Sequence, residues 1–306
     1  MSIKEHPPQR EDSDMSFSVH VPVLLEATLD QLKPIRGENY LDLTAGYGGH
    51  ARQVLAKTTN YTDSVLVDRD DYAISHLSEF EQKGVRLLHT DFVAAARQLV
   101  TEGKQFNLVL IDLGVSSPQL DQHERGFSFT KNGPLDMRMD RRQEVSADTL
   151  VNTATRDELA RIITTYGEEP MGFARRIAEA ITTHRPIHTT EDLAELIKQN
   201  YRGKWKKIHP ATRTFQALRI AVNEELRQVE DVLPLLPKLL KTGGRVGIIS
   251  FHSLEDRLVK HYFGEQKNAG YEAELDILTK KPLAGDIYDV HNPRSRSAKL
   301  RVAVKK

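Results

Sequence analysis

The stretch Tyr40-Leu-Asp-Leu-Thr-Ala-Gly-Tyr-Gly-Gly-His50 decides the fold, because it joins a short apolar strand to a glycine-rich turn. Such a turn after the first strand of a parallel sheet lets ligand atoms approach the backbone where a side chain would clash. Asp68 ends the next apolar run, about 20 residues further on, and a carboxylate there can accept both hydroxyl hydrogens of a ribose. The stretch therefore predicts a doubly wound, Rossmann-like α/β sheet that binds a nucleotide-type ligand.

Short apolar runs alternate with helical patterns on both sides of this stretch, as expected for βα units. The predicted strands are 40–44, 64–68, 85–89, 106–112, 245–251 and 299–304. The predicted helices of this part are 21–33, 50–57, 72–82, 92–101 and a long region, 212–240.

Three segments follow from the pattern. Residues 1–19 are polar and predict a flexible leader, and residues 141–212 contain only helical patterns. We therefore expect an α/β domain formed by residues 20–140 and 213–306, interrupted by an all-helical insert over 141–212.

The composition narrows the function classes. The chain has 306 residues and no cysteine, which excludes disulfides, thiolate metal sites and a cysteine nucleophile. No spacing of histidines and acidic residues predicts a metal site. No run approaches the roughly 18 apolar residues that a membrane span needs, so we expect a cytoplasmic protein. Lys plus Arg equals Asp plus Glu at 43 each, but basic clusters occur at 138–142, 202–207 and 294–306.

Two features of the turn favour S-adenosylmethionine over a nicotinamide cofactor. The spacing is G-x-G-G, so the third glycine of a dinucleotide fold is absent. Asp91 and Phe92 follow the third predicted strand, where they offer a polar edge and an aromatic face to an adenine.

The tip of the fourth strand predicts where the reaction occurs. Asp112 is suited to pair with the methionyl ammonium of the donor, although it could also accept protons from the acceptor amine. Ser117-Pro118 is similar to the polar-Pro motif of amino-methyltransferases, in which carbonyl and hydroxyl oxygens face an exocyclic amine. Methylation at pyrimidine C5 normally uses a cysteine, so its absence favours a nitrogen or oxygen acceptor.

These residues and several downstream blocks resemble the bacterial small-subunit ribosomal RNA (cytosine-N4)-methyltransferase H family. The matching blocks span nearly the whole chain after residue 19: His20–Leu25, Thr44–His50, Asp68–Asp70, Asp112–Asp140, Thr165–Glu169, His209–Arg219, Ile249–Arg257 and Asn292–Arg301. The resemblance implies methylation of a cytidine N4 in the decoding region of 16S ribosomal RNA. It also implies that the helical insert takes part in binding the RNA, within the small ribosomal subunit.

The resemblance also assigns site residues. It implies contacts to S-adenosylmethionine from Gly48, Gly49, His50, Asp68, Phe92, Asp112 and Gln119. The residues themselves make Arg138, Arg213 and His252 candidates for the RNA side.

The sequence departs from the family pattern in places. Gly167–Ala174 carries an apparent two-residue insertion around Pro170–Gly172, which affects the geometry of the insert. Ala51 stands where a serine usually follows Gly-Gly-His. Neither departure changes a residue that is predicted to contact S-adenosylmethionine.

Three alternatives stay open on the residues alone. The chain could be a nicotinamide-dependent oxidoreductase, or a non-catalytic RNA-binding or ribosome-assembly module that retains the fold. A methyltransferase with a DNA or protein acceptor is the third, and only the family resemblance selects ribosomal RNA. The oligomeric state is not determined, and a homodimer is one option.

Overall fold

The computed structural model describes residues 21–203 and 208–306. The predicted leader over 1–19, His20 and residues 204–207 of one basic cluster lie outside the described residues. Within the described ranges, no helix is both long and apolar enough to cross a membrane.

A central sheet organises the described part of the chain. Its strands are β1 (Tyr40–Asp42), β2 (Val65–Asp68), β3 (Arg86–His89), β4 (Phe106–Asp112), β5 (Leu240–Ser250), β6 (Leu275–Ile277), β7 (Leu283–Ala284) and β8 (Lys299–Lys305). Their order is β3-β2-β1-β4-β5-β8-β6, and β7 pairs with β8. Neighbours from β3 to β5 are parallel, whereas β8 runs antiparallel to β5, β6 and β7. The parallel strands bring the ends of β1, β2, β3 and β4 to one edge, as a doubly wound fold requires.

Helices cover the sheet and form a separate layer. In chain order they are α1 (Leu25–Leu32), α2 (Gly49–Thr58), α3 (Asp71–Ser75), α4 (Ser78–Gln82), α5 (Phe92–Thr101), α6 (Ser117–Asp121), α7 (Ala147–Thr153), α8 (Arg156–Gly167), α9 (Met171–Thr183), α10 (Thr190–Gln199), α11 (Thr212–Asn223), α12 (Glu225–Val232), α13 (Leu236–Leu239), α14 (Ser253–Asn268) and α15 (Gly285–Tyr288).

Two segments that were each predicted as one continuous helix are divided in the structure. Residues 72–82 form α3 and α4, not one helix. The region 212–240 is interrupted at Glu224, which has a φ of +50°, and Leu240 already belongs to β5. Strands β6 and β7 were not predicted, because two or three residues carry too little periodicity.

The sheet has an apolar core on each face. Leu108 and Leu110 of β4 pack with α1 and α2, whereas Val109 and Ile111 pack with α5, α13 and α14. This alternation follows from the two-residue period of a strand.

A third core belongs to the helical layer. It extends from Phe127 to Val222, beyond both predicted ends of the insert at 141 and 212. The apolar residues of the 127–139 connection and the buried side of α11 complete it, which joins the insert closely to the end of the sheet that carries the predicted site.

Candidate active site

The glycine-rich turn is tied to the end of β2. The Gly46 N–H donates to Oδ2 of Asp68 at 2.7 Å, and the Asp70 N–H donates to Oδ1 of the same carboxylate at 2.9 Å. Burial raises the pKa of Asp68, and these two donors oppose the rise. The carboxylate predicted to bind a ribose is therefore held in place by backbone groups, and each oxygen keeps a lone pair for a ligand.

The glycines of the turn are required for contacts within the protein. Gly48 has a φ of +77°, and a Cβ there would lie 2.5 Å from Cε2 of Phe80. A Cβ on Gly49 would lie 2.6 Å from Cγ of Pro22. Gly46 also has a positive φ, +53°, but the nearest atom to its Cβ position is the Thr44 oxygen at 4.0 Å. Donor contacts by Gly48 and Gly49 stay a prediction, whereas open space lies beside Gly46.

His50 and Asp112 meet beneath this turn. His50 is the second residue of α2 and is 6% exposed, and its Nε2 lies 3.7 Å from Oδ2 of Asp112. Burial lowers the pKa of His50 to about 4, although the Val23 carbonyl acts in the opposite direction. Burial raises the pKa of Asp112 well above its ordinary value, and the neighbouring charge of Asp42 adds to this. Oδ1 of Asp112 is buried and has no hydrogen-bond partner among the described residues.

Asp42 is a buried acid that the sequence reasoning missed. Its carboxylate accepts hydrogen bonds from the Tyr40 hydroxyl at 2.7 Å and from the Thr44 N–H at 3.2 Å. Burial raises the pKa of Asp42 to about 7, although both hydrogen bonds oppose the rise. The sequence signal for a buried acid was an aspartate within a mostly apolar predicted strand, and the structure shows that every position of β1 is buried.

The residues after β4 form a short, capped helix. Ser116 caps α6, and its N–H donates to Oε1 of Gln119 at 2.9 Å. Nε2 of Gln119 donates to Oδ2 of Asp70 at 2.7 Å. Ser117 and Pro118 are half-buried in the first turn of α6, so the predicted acceptor motif and Asp112 lie only a few residues apart on one loop. The structure thus assigns the Gln119 amide two protein partners, while its donor contact stays a prediction.

Phe92 begins α5, at the end of the loop after β3. The preceding residue, Asp91, caps this helix by accepting from the N–H groups of Val93 and Ala94. Phe92 is half-buried and packs against the core of the sheet. The aromatic side chain therefore lies at the predicted edge, where a role beside the adenine stays a prediction.

Arg138 is used within its own loop. Its guanidinium donates to both carboxylate oxygens of Asp136 and, through Nη1, to the carbonyl of Gln143 at 2.8 Å. Arg213 is different, because its side chain is 53% exposed and its contact with the Glu169 carboxylate is 3.9 Å long. Of the two predicted arginines, Arg213 is therefore the more accessible to solvent, and RNA contacts by either arginine stay a prediction.

His252 caps α14 at the end of β5. Its Nδ1 accepts from the Glu255 N–H at 3.4 Å, and its Nε2 lies 3.1 Å from Oε1 of Glu255. His252, Glu255 and Glu225 each have a side-chain nitrogen or oxygen that could coordinate a metal ion, and these three atoms lie within 4.8 Å of one another. Arg219 already binds both carboxylate oxygens of Glu225 at 2.8 Å, so this group has the contacts of a structural cluster.

The chain is similar to several known proteins. The model of the MraW methylase family matches residues 17–306. A Ribosomal RNA small subunit methyltransferase H from a Synechocystis strain is 47% identical over 297 residues, which cover 94% of this chain and 93% of that protein. A protein of the same name from a Cyanothece strain is 46% identical over 290 residues, covering 93% and 94%. Among solved structures, an rRNA methylase from Streptococcus thermophilus aligns with a TM-score of 0.41 at 8% identity, covering 92% of this chain and 94% of that one.

Proposed function

The chain belongs to the MraW methylase family, and from this premise we propose that it methylates the exocyclic N4 of a cytidine in 16S ribosomal RNA. We place this cytidine in the decoding region of the small ribosomal subunit, and the enzyme in the cytoplasm. S-adenosylmethionine is the methyl donor, and when bound it supplies an electrophilic methyl group on a sulfonium. The relatives named above are ribosomal RNA small subunit methyltransferases.

The observation that carries this proposal is the buried, unpartnered Oδ1 of Asp112 at the end of β4. A buried carboxylate oxygen without a partner is unfavourable unless a ligand supplies a donor, and the methionyl ammonium is such a donor. Asp68 is fixed where a ribose diol can bind, and Phe92 begins the next helix along the sheet edge. The residues present therefore fit S-adenosylmethionine.

The acceptor would lie against the loop from Asp112 to Pro118. Its carbonyl and hydroxyl oxygens can accept hydrogen bonds from an exocyclic amine, which helps to localise the nitrogen lone pair for attack on the methyl group. When the nitrogen takes the methyl group, the methyl–sulfur bond breaks, S-adenosylhomocysteine is released, and the nitrogen gives up one proton to solvent. Correct placement of two reactants can lower a barrier by roughly 7–11 kcal/mol in favourable systems. Positioning by Ser117 and Pro118 would supply part of the rate enhancement, and this direct transfer needs no covalent nucleophile.

The helical insert would hold the RNA. Its core extends into the 127–139 connection, so an RNA bound to the insert lies next to the loop that carries Ser117. Arg213, exposed at the start of α11, would contact phosphate.

Transfer of labelled methyl groups tests the proposal against its alternatives. The substrates are small subunits from cells that lack this protein, the matching free 16S RNA, duplex DNA and a ribosomal protein mixture. We expect label on RNA of the subunit or on free 16S RNA, and its loss with Asp112→Ala. Tight donor binding without label on any RNA would overturn the substrate assignment, and preferential binding of NADH would overturn the donor.

A further inference from the structure

Asp70 is a buried acid two residues after the carboxylate predicted to bind the ribose. It is 1% exposed, and its Oδ2 accepts from Nε2 of Gln119 at 2.7 Å and from Nη1 of Arg125 at 2.8 Å. Its Oδ1 accepts from the Tyr72 N–H, and through this bond Asp70 caps α3. Its own N–H donates to Asp68. One side chain and its amide therefore contact both sides of the candidate site.

Arg125 extends these contacts towards the insert. Its side chain is 3% exposed, and Nη2 donates to the carbonyls of Arg138 at 3.0 Å and Met139 at 3.2 Å. Asn223, at the end of α11, holds the same segment, because its Oδ1 accepts from the Met139 N–H at 2.9 Å. The end of β2, the α6 loop and the insert are thus joined through one buried network.

The energetics favour a geometric role for this network. A buried ion pair is a weak source of stability, because the loss of hydration offsets most of the attraction between the charges. Such a pair does hold its partners at fixed distances, because every hydrogen bond must be kept once the groups are buried. Gln119 also bonds to the N–H of Ser116, so displacement of Asp70 would displace the turn that contains Ser117 and Pro118.

We propose that Asp70 is a positioning residue for methyl transfer. It holds the loop that contains Ser117 and Pro118 at a fixed distance from Asp68, the carboxylate predicted to bind the ribose of the methyl donor. Arg125 extends the same control to the segment that leads into the insert. The inference rests on the proposed function, since it assigns the loop around Ser117 to the acceptor. The Asp70 side chain itself has no direct contact with the reactants in this account.

Asp70→Asn tests this role, because it removes the charge at nearly constant shape. We expect kcat on small subunits to fall at least tenfold, while the Kd for S-adenosylmethionine rises by a smaller factor, because Gln119 is only one of several predicted contacts to the methyl donor. Hydrogen exchange of the donor-bound protein should accelerate at the amides of residues 116–122 and not in β5. Arg125→Lys keeps the positive charge but loses the hydrogen bonds to the carbonyls of Arg138 and Met139. It should therefore also lower kcat and accelerate hydrogen exchange at residues 116–122, which provides a second variant for the test.

Glu38→Gln is the matched control, because it breaks another largely buried ion pair, with Arg245, near the opposite ends of the strands. It should lower the thermal midpoint without changing kcat or exchange at 116–122. A folded Asp70→Asn protein with unchanged exchange at 116–122 would overturn the inference, and so would a kcat loss matched by the control. If the native protein methylates no RNA, the proposed function fails on that result, while the exchange experiment still decides the role of Asp70.

Discussion

Nε2 of His50 lies 3.7 Å from Oδ2 of Asp112, yet the two groups do not form an ion pair at neutral pH. Burial lowers the pKa of the histidine to about 4 and raises the pKa of the aspartate well above its ordinary value. The His50 imidazole is therefore neutral near pH 7, and burial disfavours the ionised form of Asp112 in the free protein. An ammonium group placed against Asp112 would favour the ionised carboxylate, so donor binding should release a proton.

The first prediction concerns this proton release. The Kd for S-adenosylmethionine should fall as pH rises towards the pKa of Asp112, by up to about tenfold per pH unit, because deprotonation precedes ammonium binding. Calorimetry in two buffers of different ionisation enthalpy measures the protons released. Asp112→Asn should bind more weakly and without this pH dependence. Equal proton release by the native protein and by this variant would contradict the assignment of Asp112.

The second prediction concerns stability and Asp42. Its pKa is about 7 in the folded protein against an ordinary value of 3.8, so between these values only the folded state keeps the proton. The contribution of Asp42 to the free energy of unfolding is present at low pH and is lost as pH rises to about 7. Asp42→Asn should therefore gain about 2 kcal/mol relative to the native protein between pH 5 and pH 8. Denaturant unfolding at both pH values checks this, and an equal difference at the two would contradict it.

The third prediction concerns the turn. Gly48→Ala should lower the free energy of unfolding by about 1–3 kcal/mol, because the new methyl group meets the Phe80 ring at a positive φ. Gly264→Ala in α14 is the control, since nothing lies within 4 Å of its Cβ position. The control should be neutral or stabilising by up to about 1 kcal/mol. Thermal unfolding that ranks the two variants the other way would show that the turn tolerates a side chain.

The fourth prediction separates the two candidate arginines. Arg213→Gln should weaken RNA binding and reduce the slope of log K against log salt by about 1, as expected for one lost phosphate contact. Arg138→Gln should lower stability with little change in that slope, because its guanidinium is bound to Asp136 and Gln143. A salt titration of RNA binding with both variants checks the pair. A larger slope change for Arg138 would reverse the assignment.

The sequence predicted the parts of the site that follow from local pattern. The bounds of β4, Phe106–Asp112, were correct, since a continuous buried run between clear turns marks a strand. The site partners of Gln119 and Arg125 could not be found in this way, because both meet Asp70, which is 49 and 55 positions away. The interruption at Glu224 was missed because the positive φ there has no glycine to announce it. The pattern of apolar residues along the chain predicts neither contacts between distant segments nor turns with a strained backbone.

Nucleoside analysis of the methylated RNA is the most direct test of the central claim. Small subunits from cells without this protein are treated with it and S-adenosylmethionine carrying a labelled methyl group, and the digested RNA is separated against synthetic standards. We expect the label in N4-methylcytidine alone, and its absence after treatment with Asp112→Asn. Label in 5-methylcytidine or in a 2′-O-methylated nucleoside would contradict the proposed acceptor and the role of the loop from Asp112 to Pro118.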